Sequence, residues 1–113
     1  MSLASLITEW DGFVTLCENG YSFDLSEYDN DLAVRRKIKV LIEKQGSQND
    51  PSFGTLIVAL SNVDNRFRDM LLPDTFRAYA ANYWWETSFL KYAGDEYVND
   101  IKSLYGVSIP VAD

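Results

Sequence analysis

Apolar side chains recur at intervals of three and four residues along most of the chain. Leu3, Leu6, Ile7, Trp10, Phe13, Val14 and Cys17 fall on one side of a helix, with Leu16 at its margin and Asn19 and Gly20 as a stop. Residues 20–25, GYSFDL, alternate too briefly to demand a strand and read as a loop. A second helix is predicted from Ser26 or Asp29 to Lys44. Leu25, Tyr28, Leu32, Ile38, Leu41 and Ile42 form its apolar side, and Ala33, Val34 and Val40 widen it. Ser26 followed by Asp29 resembles a weak capping box, with Asp29 as the alternative cap.

GSQNDPS interrupts the pattern, and Asp50-Pro51 suits the start of a third helix, because Asp accepts from free N–H groups and Pro gives up no needed donor. Phe53, Leu56, Ile57, Leu60, Val63, Phe67 and Met70 continue the stripe until Pro73 closes it. Asp74 is the expected cap of a fourth segment, Thr75 to about Lys91, read as one helix or two short ones. Its line runs through Phe76, Tyr79, Ala80, Tyr83, Trp84, Thr87 and Leu90 or Lys91; Trp85, Phe89 and Tyr92 lie off it. A last helix, about 95–105, carries Tyr97, Val98, Ile101, Leu104 and Tyr105, and Gly106 is placed as its left-handed stop. Residues 107–113 form an extended C-terminal tail.

Short loops between these segments predict a single domain over 1–113: all-α, a small irregular antiparallel bundle of four to five helices. The alternative is a small α+β domain with 21–25 and 107–111 as strands, although Pro110 disfavours a central strand.

Composition changes this picture little. A 47% hydrophobic content with three Trp, seven Tyr and six Phe supports one aromatic-rich core. Charge adds more. Seventeen acids against ten Lys plus Arg leave a net charge of −7, which repels nucleic acid and anionic membrane and attracts a basic protein. Residues 1–34 hold seven acids and no Lys or Arg, whereas 35–44 hold five bases and one acid, so a one-sided field is expected. The plain alternative is that the charge only keeps the chain in solution.

The candidate chemistry is mostly subtraction. There is no histidine, so no Ser-His-Asp, Cys-His or Cys/His zinc arrangement can be assembled, and no phosphate-loop or dinucleotide motif occurs. The DND stretch at Asp29 to Asp31 lacks the glycine and distal Glu of a calcium loop. No cofactor, no metal and no enzymatic activity are expected. Cys17 stands alone, which fits a reducing compartment, and no signal-like or spanning segment is read, so the expected location is cytoplasmic. Helix-end electrostatics account for much of SEYDNDLAVRRKIK, with Asp31 paired to Arg35. Likewise Asp64 is expected to pair with Arg68 and blunt the Arg66-Phe67-Arg68 patch.

AANYWWETSFLKY is the most unusual stretch. On a helix Trp84 and Trp85 point about 100° apart, so Trp84 is assigned to the core, while Trp85 either packs under a loop or anchors an interface. The resulting expectation is a non-enzymatic acidic module that binds a basic protein, in its most specific form an immunity or antitoxin-like inhibitor. Its candidate contact residues are Glu27, Asp29, Asp31, Trp85 and Glu86. The alternatives are a homo-oligomer joined through the surplus aromatics, and a carboxylate-based small-molecule binder or enzyme.

Overall fold

In the computed structural model, residues 2–45, 51–73 and 83–112 are described. They form four α-helices: α1 (Leu3–Glu18), α2 (Leu25–Gln45), α3 (Phe53–Asp69) and α4 (Asp95–Tyr105), with a 3-10 turn at Trp84–Glu86. No strand occurs among the described residues; two isolated bridges, Leu71 with Leu90 and Ala93 with Val111, are the only β pairing there. The protein is thus an all-α four-helix bundle, and the α+β alternative finds no support.

Caps and turns near in sequence set several helix ends, and one end also draws on a distant side chain. Ser2 caps α1 through its hydroxyl, which accepts from the Ser5 amide at 3.1 Å. Helix α2 begins earlier than the sequence pattern suggests. Its cap is Asp24, not Ser26 or Asp29: the Asp24 carboxylate accepts from the Glu27 amide at 2.9 Å. From α4, Asp100 accepts from the Leu25 amide at 3.0 Å, a contact that only the tertiary fold supplies. Helix α3 starts at Phe53, after Pro51 and Ser52 have made a turn; the expected cap Asp50 lies outside the described residues. Gly106, at φ 69°, ends α4 in the left-handed conformation that glycine adopts without Cβ strain.

Helix α1 packs on both α2 and α3, while α2 also packs on α4 and on the 3-10 turn. All seven apolar positions of the first stripe are buried in α1. A run of touching rings then links the elements. Trp10 meets Phe67 of α3 at 5.0 Å between centroids, Phe13 meets Tyr28 of α2 at 5.6 Å, and Tyr28 meets Tyr97 of α4 at 4.9 Å. Such edge and tilted contacts each add about 0.5–1.5 kcal/mol beyond burial.

The segment read as a fourth helix over Thr75–Lys91 is the main correction. Residues 74–82, including the expected cap Asp74, lie outside the described set. From Tyr83 to Lys91 the chain is not α-helical and holds only the 3-10 turn. Its backbone groups find partners elsewhere: the Leu72 amide donates to the Phe89 carbonyl at 2.8 Å, and the Lys91 amide to the Met70 carbonyl at 2.8 Å. The Leu90 amide donates to the Tyr97 hydroxyl. Released from helical geometry, Phe89 and Leu90 are both buried, whereas on one helix they would point about 100° apart. Aromatic residues also have weak helix preference, which lets tertiary contacts decide.

Candidate partner-binding surfaces

The candidate residues separate into three environments. The first is a buried hub. Asp64 of α3 and Arg35 of α2 are 6% and 8% exposed and form a two-pronged ion pair, with Nε to Oδ1 and Nη2 to Oδ2 both at 2.9 Å. Trp10 Nε1 donates to the same Asp64 Oδ1 at 2.9 Å. The Arg35 guanidinium also lies 4.6 Å from the centroid of Trp85. Both expected helix pairs are therefore replaced. Arg35 reaches across to Asp64 instead of back to Asp31, and Arg68 is left to Asn65 and to the face of Trp84, 4.0 Å away.

Trp85 belongs to this hub. It is 3% exposed and stacks on Tyr83 at 4.7 Å with an interplanar angle of 2°. An anchor reached directly by a partner needs an exposed ring, which the covered Trp85 does not offer. Trp84, assigned to the core by spacing, is half-buried instead. It still packs against the core, on Phe67, while the 3-10 turn, which replaces the helical geometry of that assignment, leaves Trp85 the more deeply covered of the two. Glu86 is tied down beside them: both carboxylate oxygens lie 2.7 Å from Arg36 Nη2. It anchors the 3-10 turn to α2.

The second environment is the acidic end of the bundle, where Glu27, Asp29 and Asp31 lie. The Gly94 amide donates to the Tyr21 carbonyl at 2.7 Å, and with the Leu25–Asp100 hydrogen bond this brings the start of α2 against the start of α4. A Cβ on residue 94 would come within 2.7 Å of that carbonyl, so the approach requires glycine. Asp95, Glu96 and Asp100 of α4 thereby join Asp24 and Glu27, and among the described residues none of these five carboxylates has an ion-pair partner. Asp31 is half-buried and accepts the Tyr21 hydroxyl at 2.7 Å. Burial first, and then this hydrogen bond, push the Tyr21 phenol well above its ordinary pKa. Within the same loop Phe23 is 47% exposed, its ring leaning edge-on against Tyr21 at 5.6 Å.

Sequence reasoning found Glu27, Asp29 and Asp31 but missed Phe23 and the α4 acids as their neighbours. No local pattern in α4 says which other helix its acidic side meets. The acids and Trp85 do not form one exposed face, since Trp85 is covered at the hub.

The third environment is the seam between α1 and α2. One concavity of about 490 Å³ has an apolar floor from Leu6, Ala33, Val40 and Leu41 and a rim of Arg36, Lys37 and Lys44. A neighbouring one of about 610 Å³ shares Ala33 and Lys37 and is bordered by Glu9 and Asp31. Among the described residues no group of three or more Cys, Asp or Glu side chains is arranged to hold a metal ion. No described helix is long and apolar enough to cross a membrane.

Comparison with protein-family models, with characterised proteins and with solved structures returns no significant match.

Proposed function

We propose that this protein is a non-enzymatic binding module that docks a basic protein on its acidic end. The observation that carries the reading is the set of five carboxylates without an ion pair to a described residue, brought together by the contact between the start of α2 and α4, beside the loop that carries the exposed Phe23. Unpaired surface acids accelerate encounter with a positive surface and select against negative ones, while an aromatic ring that becomes buried slows dissociation. Asp24 and Asp100 are already oriented by capping α2, so their carboxylates are held in place before a partner arrives. The more specific form is an immunity or antitoxin-like inhibitor whose acids cover the positive cleft of an enzyme.

Glu27 and Glu96 are the positions to reverse, because both are exposed and neither caps a helix end. Wild type and Glu27→Lys/Glu96→Lys are used as paired baits, and the association rate of any protein captured by wild type alone is measured against salt. The expected result is a basic partner whose association slows by about tenfold or more on charge reversal and falls steeply with ionic strength. Capture that is indifferent to both changes refutes the reading. Phe23→Ala should chiefly raise the dissociation rate.

A further inference from the structure

The apolar concavity at the α1–α2 seam has a cationic rim, and of its three cations only Arg36 is committed to a described carboxylate. In the basic stretch of α2, Arg35 is bound to Asp64, Arg36 to Glu86 and Lys39 to Glu43. Lys37 and Lys44 are exposed, and neither forms an ion pair with a described carboxylate. Between them Val40 is 42% exposed, and Leu41 and Ala33 are half-buried over Leu6 of α1. A solvated helix face would place polar residues at 33, 40 and 41; here an apolar strip is bordered by positive charge in a protein of net charge −7.

Residues 33, 37, 40, 41 and 44 recur along one side of α2 over three turns, about 16 Å at 1.5 Å per residue. That length and the open cross-section suit a helix laid in a groove, whose own outer face stays in water; an alkyl chain there would leave much of its surface wet. From the apolar floor and the unpaired cations we infer that this groove receives an acidic amphipathic helix of a partner protein. Leucines of the incoming helix at i, i+3, i+4 and i+7 cover Val40, Leu41 and Ala33, and its flanking glutamates meet Lys37 and Lys44. The groove adjoins, through Ala33 and Lys37, the concavity bordered by Glu9 and Asp31, but its own cationic rim calls for a partner of opposite charge to the one proposed for the acidic end.

The test uses the full chain and a fluorescent synthetic peptide of about four helical turns, with Leu at those positions and Glu elsewhere, followed by anisotropy. A Lys-for-Glu counterpart, dodecanoate and sedimentation of the protein alone are run in parallel. The acidic peptide should bind saturably and the basic one should not. Lys37→Glu/Lys44→Glu should weaken binding by about tenfold or more, as should Val40→Asp, while Glu27→Lys/Glu96→Lys should leave it intact. All replaced side chains are exposed, and circular dichroism verifies that the helices persist. Absence of saturable binding, or affinity unchanged in the lysine and Val40 variants, overturns the inference. So does dodecanoate binding with the same lysine dependence when the peptide fails, which assigns the groove to an anionic lipid. Self-association abolished by Val40→Asp also overturns it, assigning the groove to a second copy.

Discussion

Replacing Arg35 by Met leaves Asp64 charged inside the hub with only the Trp10 N–H, because two of the three hydrogen bonds it accepts come from the guanidinium. Breaking a buried pair in this way costs about 3–5 kcal/mol, since the remaining carboxylate has lost its water and keeps no counter-charge. Loss of the guanidinium over Trp85 adds about 0.5–2 kcal/mol. Domains of this size are stable by about 5–15 kcal/mol, so the loss is a large fraction of the total. With urea m-values of about 1–3 kcal/mol/M, the denaturation midpoint of Arg35→Met should fall by roughly 2 M. The double variant Arg35→Met/Asp64→Leu removes both charges and leaves only the Trp10 donor unpaired, a penalty of about 1–3 kcal/mol. It should therefore be more stable than Arg35→Met. A single-variant loss below about 1 kcal/mol, or a double variant that loses the sum of both singles, would refute the account of the hub.

Other parts of the fold make separate demands. Burial, reinforced by Asp31 and Glu18, raises the Cys17 thiol far above its ordinary pKa, so the native thiol stays protonated while the unfolded one ionises above about pH 8.5. That stabilisation is complete below this pH and is lost as pH rises, with Tyr21 adding a second decline above about pH 10. Urea midpoints across pH 7 to 11 should fall less steeply in Cys17→Ala, and an equal slope would count against the assignment. Because Cys17 is fully buried, a thiol reagent should modify it only as fast as the protein opens, which quenched labelling can compare with unfolding rates. Arg66 joins α3 to α1 through Asp11, Thr15 and Glu18 but is only partly buried, so Arg66→Ala should cost only about 1 kcal/mol and less at high salt, as read from thermal denaturation in a salt series. Gly94→Ala should destabilise by about 1–3 kcal/mol through its clash with the Tyr21 carbonyl, whereas Gly12→Ala, where the added Cβ meets nothing within 4 Å, should not destabilise.

Three helices and the last one were legible from local pattern because a 3.6-residue repeat of large apolar residues, closed by Asn19-Gly20 or Gly106, can be buried in few ways. The stripe of α1 shows this: the spacing that put Leu3 through Cys17 on one side also names its buried residues. Charge pairing was not legible in the same manner. Helical spacing favours Asp31 with Arg35 and Asp64 with Arg68 by only about 0.2–0.5 kcal/mol each, and a desolvated two-pronged contact between Arg35 and Asp64 outweighs both. Nor could a helical line survive from Tyr83 to Lys91 once Met70, Leu72 and Tyr97 offered partners to its backbone.

The candidate surfaces divide the same way. Sequence alone determined that the N-terminal third is acidic, that a basic run follows it within α2, and that no histidine-based chemistry is available. Only the tertiary structure decided that Trp85 lies under Arg35, that Glu27 shares its end of the bundle with Glu96, and that Lys37 and Lys44 rim an apolar strip. The physical reason is range. Periodicity and capping are set by residues within about one helical turn, whereas which charges are neutralised and which rings are covered depends on partners tens of residues away in the chain.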